Sequence, residues 1–216
     1  SRGMAVTCCC DPQHISVGAE HGKECTSPGK APMHAWKAWQ TQAQTREDVQ
    51  ALWERYPLGN VGVILGQASG MVRVDVDGPD GERLLQQWSQ GDVPRTWAFR
   101  SSPHGRGLLY AWPRNLPCRS MAQAEAGEHV ELRLMGNGSQ TVLPPSRHAS
   151  GTAYAWDAGQ SPDDLPLADA PDWLVVRLHQ PPRAAPSSAS HPPTSLDETK
   201  VRSALEALPN QDAGYD

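Results

Sequence analysis

The feature that most constrains the fold is the segment 72–78, in which valines alternate with charged residues. Successive side chains of a strand point to opposite faces, so the valines and the charged residues would lie on different sides of one strand: Val72, Val74 and Val76 against Arg73, Asp75 and Asp77. The two aspartates would stand roughly 6.5 Å apart along the strand and could converge on one divalent cation. An edge strand with one solvated face has the same pattern, so this segment alone leaves both interpretations open.

A second alternating segment, 129–134, favours the metal interpretation. Its apolar residues again share one face, while Glu131 and Arg133 share the other. On a neighbouring strand, Glu131 would join Asp75 and Asp77 as a third acid. Ligands that are all oxygen atoms favour Mg²⁺ or Mn²⁺ over zinc. Mg²⁺ usually acts together with substrate phosphates, so the three acids indicate phosphoryl chemistry.

Charge and hydropathy limit the partners. No run of about 18 apolar residues is present, and no charged segment followed by an apolar one begins the chain, so we expect no membrane partner and a cytoplasmic location. The formal charge of −5 argues against nonspecific coating of nucleic acid, although a local basic groove is compatible with it.

Five cysteines form an odd set, and three of them are adjacent, which does not suit a disulfide framework. Two interpretations remain. Zinc could be bound by members of an N-terminal group consisting of Cys8, Cys9, Cys10, His14, His21 and Cys25. That group lacks paired C-x₂-C units, so we favour buried, reduced thiols in a loop.

The remaining pattern predicts a mixture of helices and strands. Residues 1–34 should be irregular, and Thr45 and Asp48 should cap a helix that runs from about residue 46 to 56. Further predicted elements are strands at 61–65, 96–101 and 108–112, a helix opened by Pro79, a hairpin turn at 136–138 that pairs the Glu131 strand with 140–143, a short strand at 153–156 and an apolar closing segment at 173–178.

The C-terminal part changes in composition. We predict one domain over residues 1–179 and a linker rich in Pro, Ser and Ala over 180–194. Residues 195–216 begin with a capping box and carry one apolar stripe, which indicates the first helix of a further module.

The order of short motifs resembles that of bifunctional primase-polymerase domains of plasmid and phage replication proteins, in the archaeo-eukaryotic primase superfamily. The resemblance covers about residues 25–178. It is carried by Gly29-Lys30-Ala31-Pro32, Asn60-Val61-Gly62, Ser69-Gly70, Asp75-Val76-Asp77, Leu108-Leu109-Tyr110, Glu131, Pro144-Pro145-Ser146-Arg147-His148 and Gly151. It implies an α+β fold with an RRM-like antiparallel sheet and flanking helices. It also implies that the metal ligands are Asp75, Asp77 and Glu131, and that the domain transfers nucleotides from NTPs or dNTPs.

The implied mechanism uses two metal ions, roughly 3.5–4 Å apart, that activate a primer hydroxyl and stabilise the leaving pyrophosphate. Candidate nucleotide contacts are Lys30, His104, Arg106, Ser146 and His148. Each also has an ordinary interpretation as a loop or hydrogen-bonding residue.

One motif departs from the resemblance. Such domains usually carry a histidine directly before the aromatic strand, in the pattern S-G-G-x-H, where this chain has Gly107 or Leu108. His104, slightly upstream, could substitute for it. The departure keeps alternatives open, namely a noncatalytic module that binds nucleotide or single-stranded nucleic acid and, third, a metal-dependent nuclease.

The resemblance also predicts partners. They are an NTP or dNTP, a single-stranded DNA template with its primer, and a helicase part of the same replication protein. The chain starts close to its cysteines and stops within the predicted C-terminal module, so we expect it to be a fragment of a longer protein, truncated at its N-terminus.

Overall fold

The computed structural model describes residues 3–15, 21, 24–102, 104–119, 121–126 and 129–179. Within them the chain forms nine strands and three α-helices. In chain order these are β1 (Val6–Cys9), α1 (Arg46–Arg55), β2 (Asn60–Ile64), β3 (Met71–Asp77), α2 (Gly78–Ser89), β4 (Trp97–Arg100), β5 (Gly105–Ala111), β6 (Met121–Ala126), β7 (His129–Met135), β8 (Gln140–Val142), β9 (Ala155–Trp156) and α3 (Asp172–Leu178).

The described residues fall within one unit, Ser1–Pro181. The predicted linker at 180–194 and the predicted helix in 195–216 lie outside the described residues, so both stay predictions.

The strands form two antiparallel sheets. The larger has the order β6-β7-β3-β5-β4-β9, and the smaller has the order β1-β2-β8. In the larger sheet, β3 lies between β5 and β7, and its register sets Asp75 opposite Gly107 on one side and Arg133 on the other. The α+β class and the antiparallel sheet are therefore as expected.

One face of the larger sheet is apolar and covered by helices. The valines of β3 are fully buried there, because α2 and α3 pack their apolar residues against this face. The same core contains Leu84, Leu85, Leu108, Leu132, Leu134, Trp173, Leu174 and Leu178. Burial of these side chains removes apolar surface from water and fixes the sheet under the helices.

The opposite face packs partly against the smaller sheet. Val63 and Val142, from β2 and β8, join a second core with Met71 at the start of β3. Trp97, Phe99 and Leu109, from β4 and β5, belong to the same core. The charged end of β3 extends past this core and lines a cleft.

Helix α1 begins as its capping box predicts. The side chain of Thr45 accepts a hydrogen bond from the backbone of Asp48, and the carboxylate of Asp48 accepts one from the backbone of Thr45. The predicted helix opened by Pro79 is also present, as α2, with Pro79 in its first turn. The predicted closing segment at 173–178 forms α3.

Two predictions are wrong. Residues 1–34 are not entirely irregular, because the cysteine segment forms β1, which pairs with β2. The turn near residues 136–138 does not return β7 into a paired hairpin, because β8 pairs with β2 in the other sheet. The reason is that both edges of β7 are already occupied, by β3 and by β6, a strand that the sequence pattern did not predict.

Candidate active site

A cleft of about 500 Å³ lies at the charged end of β3. Its walls combine two carboxylates, three cationic side chains and an imidazole: Asp75, Asp77, Lys30, Arg73, Arg133 and His148. The hydroxyl groups of Ser101 and Ser102 also line the cleft. Acids and cations in one concave, polar site are suited to a ligand that itself carries both phosphates and metal ions.

Two glycines of β5 lie opposite the aspartates in the paired strands. Gly107 pairs with Asp75, and Gly105 pairs with Asp77. A Cβ added at residue 105 would lie 3.0 Å from Oδ1 of Asp77, and one added at residue 107 would lie 2.5 Å from Cζ of Phe99. A side chain at residue 105 would crowd the carboxylate of Asp77, and one at residue 107 would collide with the ring of Phe99, so both positions require glycine.

Both aspartates form ion pairs with arginines. Oδ1 of Asp75 contacts the guanidinium of Arg73. Nη1 of Arg133 lies 3.7 Å from Oδ2 of Asp75 and 3.3 Å from Oδ2 of Asp77. Arg73 is only 8% exposed and also donates to Oγ1 of Thr141 at 2.7 Å. The carboxylates are therefore oriented by charged neighbours before any ligand binds.

Glu131 belongs to the same face as these residues by strand alternation. The register pairs Val76 with Leu132, and continuing it by one residue sets Asp77 opposite Glu131. The side chain of Glu131 is half-buried. The convergence of Glu131 with Asp75 and Asp77 on a metal ion stays a prediction, and this register supports it.

Asn60 connects the two loops that carry Lys30 and His148. Its buried side-chain amide donates to O of Gly29 at 2.8 Å and to O of Arg147 at 2.7 Å. Its Oδ1 accepts from N of Arg147 at 3.0 Å. Asn60 therefore places both loops over the cleft. Sequence reasoning missed this role, because an asparagine at the start of a strand carries no sign of such distant partners.

His148 is held as a neutral hydrogen-bonding group. Its Nδ1 accepts from N of Ser150 at 3.2 Å, which leaves Nε2 as the protonated donor. Burial lowers its pKa, and the charge of Lys30 lowers it further, while Asp77 partly opposes this. The imidazole therefore favours its neutral form at neutral pH.

Three other residues that were predicted to contact the nucleotide do not line the cleft. His104 is exposed in the loop before β5, and its carbonyl accepts from N of Gly78 at 3.0 Å. Arg106 pairs across the sheet with Val76, on the helix-covered face, and its Nη2 lies 2.9 Å from Oε2 of Glu82 on α2. Ser146 is buried, and its Oγ accepts from N of Val61 at 2.9 Å. The structure does not bring Arg106 to the cleft, and it gives Ser146 a loop-fixing contact.

The structure distinguishes the two positions, 107 and 108, that were considered for the histidine of the S-G-G-x-H pattern. Leu108 pairs with Val74 and is buried in the core below the helices, so its side chain does not face the acids. Gly107 pairs with Asp75, and a side chain there would collide with the ring of Phe99. Position 108 is therefore unsuitable for a nucleotide contact, because a side chain there enters the apolar core.

Tyr154 is a further wall residue that sequence reasoning missed. It is buried, and that burial raises its pKa to about 12, so the hydroxyl stays protonated. Its ring centroid lies 6.2 Å from those of Phe99 and His148. It adds an aromatic ring to the lining of the cleft.

Comparison with known proteins identifies the family. A comparison with curated proteins gives no match. None of the helices in the described part of the chain is both long and apolar enough to cross a membrane. The family of bifunctional DNA primase/polymerase N-terminal domains, Prim-Pol, matches residues 1–173, so the match includes β1 and begins earlier than the predicted residue 25. This match covers most of the 216 residues, and the chain therefore belongs to the Prim-Pol family of bifunctional DNA primase/polymerase domains.

Proposed function

We propose that this domain is a metal-dependent nucleotidyltransferase that makes or extends nucleic-acid primers in plasmid or phage replication. Membership of the family implies a primase or polymerase role in replication, with nucleotides and DNA as ligands. The observation that carries the finer proposal is the pair Asp75 and Asp77, which share one face of β3 and line the same cleft as Lys30 and Arg133.

The donor set of the cleft fits Mg²⁺ or Mn²⁺. Carboxylate oxygens are hard ligands, and an ionised carboxylate accepts about four hydrogen bonds or metal contacts, so the arginine pairs leave coordination capacity. We propose that Asp75, Asp77 and Glu131 hold the metal. When bound there, the metal would supply Lewis-acid stabilisation of the triphosphate and activation of the primer hydroxyl.

The other residues of the cleft have complementary roles in this proposal. Lys30 and Arg133 attract the triphosphate through their charge, and the neutral imidazole of His148 donates a hydrogen bond from Nε2. Asn60 acts as a positioning residue, because it fixes both loops through the hydrogen bonds described above.

The proposed partners follow from this activity. A templated reaction needs a single-stranded DNA template and a primer, in addition to an NTP or dNTP. A helicase part of the same replication protein would supply the single strand. A cytoplasmic location is part of the same proposal.

Primer extension with Mg²⁺ or Mn²⁺ tests the proposal. We expect extension by the parent and at least a 100-fold loss in Asp77→Asn, because removal of a metal ligand costs several kcal/mol of transition-state stabilisation, and about 1.4 kcal/mol is a factor of ten. The side chain of Asp77 is 44% exposed, so this variant should fold normally. The matched control is Asp80→Asn, an exposed acid of α2, which should extend primers like the parent. Full extension by Asp77→Asn would contradict the proposal.

A second candidate function is nucleotide binding without transfer. The observation that favours it is that Arg73 and Arg133 already neutralise both aspartates. It predicts that nucleotide binds to the parent, that no primer is extended with either metal, and that Asp77→Asn binds nucleotide as well as the parent does. Binding measured by calorimetry beside the extension assay therefore separates the two functions.

A further inference from the structure

We propose that Cys10, His14, His21 and Cys25 form a structural zinc site outside the cleft. One ligand atom from each residue lies within 4.8 Å of the other three. The two thiols are the best-defined pair, with Sγ of Cys10 4.0 Å from Sγ of Cys25. This group is a subset of the larger N-terminal Cys and His group, and it excludes Cys8 and Cys9.

The spacing is close to that of a tetrahedral site. Zinc takes sulfur at about 2.3 Å and imidazole nitrogen at about 2.0–2.1 Å, so its ligand atoms stand roughly 3.3–3.8 Å from one another. The observed limit of 4.8 Å requires inward movements of about 1 Å or less. Rotation of the side chains about their χ angles is sufficient for such movements.

The two histidines have buried nitrogens that nothing else explains. Nε2 of His14 and Nε2 of His21 are buried, and in the described part of the chain neither has a hydrogen-bond partner. Their rings meet edge to face, with centroids 5.3 Å apart. A buried polar atom without a partner destabilises the folded state, and coordination of a metal would remove that penalty.

The local backbone structure positions these ligands. His14 adopts a φ of 57°, a left-handed conformation that is uncommon outside glycine and is typical of functional sites. N of Ile15 donates to Oδ1 of Asp11 at 2.8 Å, which closes the turn that carries His14. N of Gly29 donates to Sγ of Cys10 at 3.2 Å, and such a bond stabilises a thiolate ligand.

The ligand types select the metal and its role. Two thiolates with two imidazoles suit zinc and not Mg²⁺, which prefers oxygen. Four protein ligands complete the coordination, which is typical of a structural site and leaves no position for substrate. Cys8 and Cys9 differ from the proposed ligands in position: they belong to β1, and neither is a member of the group whose ligand atoms come together.

The site would connect β1 to the segment that carries Lys30. N of Cys10 donates to O of Ala31 at 2.8 Å, next to Lys30 in the chain. Zinc would therefore hold the Gly29-Lys30-Ala31-Pro32 segment against the strand. This role supports the geometry of the cleft and takes no part in its chemistry.

Elemental analysis of the purified protein tests the proposal. Parent protein from zinc-supplemented medium, kept reduced, should contain about one zinc per chain. Cys25→Ser and His21→Ala should lose it. The matched controls are Cys118→Ser and His34→Ala, which change a cysteine and a histidine outside the group and should keep it. Less than a tenth of an equivalent in the parent, or full zinc in Cys25→Ser, would overturn the proposal.

A cobalt experiment on the parent alone avoids the problem of misfolded variants. Co²⁺ in the site should give the intense visible bands of tetrahedral coordination and a thiolate charge-transfer band. A weak, octahedral spectrum would overturn the proposal, and so would a Cys10–Cys25 disulfide found by mass spectrometry in the protein as purified under reducing conditions. Neither readout depends on nucleotidyl transfer, so this proposal and the proposed function can fail separately.

Discussion

The seven residues of β3 are divided between two faces that have different roles. On one face the valines are fully buried under α2 and α3 and contribute to the free energy of unfolding. On the other face Arg73, Asp75 and Asp77 line a polar cleft. Because alternate residues of a strand face opposite ways, changes on one face should affect stability, and changes on the other should affect activity.

The exposure of the charged side chains increases along the strand. The side chain of Asp77 is 44% exposed, that of Asp75 is 15% exposed, and that of Arg73 is 9% exposed. Asp75 therefore has two roles: it is a proposed metal ligand, and it is the ion-pair partner of the nearly buried Arg73. Substitutions that separate the two contributions give the sharpest tests of the comparison.

The largest effect is expected for Asp75→Asn, which should lower both activity and stability. Extension should fall at least 100-fold, as for Asp77→Asn. The free energy of unfolding should also fall by about 1–3 kcal/mol, because the nearly buried guanidinium of Arg73 loses its charged partner. Urea unfolding and primer extension measure the two quantities.

A double variant separates these contributions. Adding Arg73→Met to Asp75→Asn should recover stability, because the unpaired buried charge is removed, and should leave extension low. Unchanged stability in the single variant would show that Arg73 does not depend on Asp75.

The next effect is expected on the opposite face. Leu134→Ala should lower the free energy of unfolding by about 2–5 kcal/mol, because it removes a fully buried side chain beneath the helices. Extension per folded molecule should stay at the parent value. Val176→Ala, at a position that is 75% exposed, is the matched control and should change neither quantity by much. A Leu134→Ala protein that is stable but inactive would contradict the separation of the faces.

A smaller effect is expected for Leu108→His, which places a histidine within β5, at one of the two positions considered for the family's histidine. We expect no gain in nucleotide affinity and a loss of about 1–3 kcal/mol of stability, because a polar ring would enter the apolar core beside Val74. Nucleotide titration and urea unfolding check this. Tighter binding or faster extension would mean that position 108 reaches the cleft, contrary to the observed register.

Local patterns predicted much of this fold. The alternation in 72–78 depends only on neighbouring residues, and it correctly predicted a strand with an apolar core face and a charged face. The capping box of Thr45 and Asp48 likewise predicted where α1 begins. Asp75 and Asp77 were found as cleft residues for the same reason.

Nonlocal choices could not be predicted in this way. A turn at 136–138 is compatible with a hairpin. In the structure, however, β7 is already paired with β3 and β6, so β8 cannot pair with it and joins the other sheet. The sequence pattern predicted that β5 begins near residue 108, which left Arg106 in a loop. In the structure β5 begins at Gly105, so Arg106 is a strand residue, and strand alternation assigns its side chain to the helix-covered face. The hydrogen bonds of Asn60 reach residues about 31 and 87 positions away, and no local pattern indicates them.

The smallest effect is expected from His148, at the border between the cleft and solvent. Burial and then the charge of Lys30 lower its pKa below the ordinary value of 6.5, while Asp77 opposes them. The unfolded chain therefore binds the proton more readily, so the contribution of His148 to stability is complete above pH 6.5 and declines as the pH falls below that value.

NMR titration of the ring should show the lowered pKa in the parent. Lys30→Met should raise that pKa, because one of its causes is removed, whereas Lys37→Met, which changes an exposed lysine of another segment, should leave it unchanged. His148→Asn should flatten part of the decline in the free energy of unfolding below pH 6.5. The pKa of His34 is lowered by burial too, so His34→Asn should remove a separate part of the decline, and the double variant tests whether the two add. An unaltered pKa in Lys30→Met would mean that the two loops joined by Asn60 do not bring Lys30 and His148 together, and the cationic side of the cleft would then have to be assigned to Arg73 and Arg133.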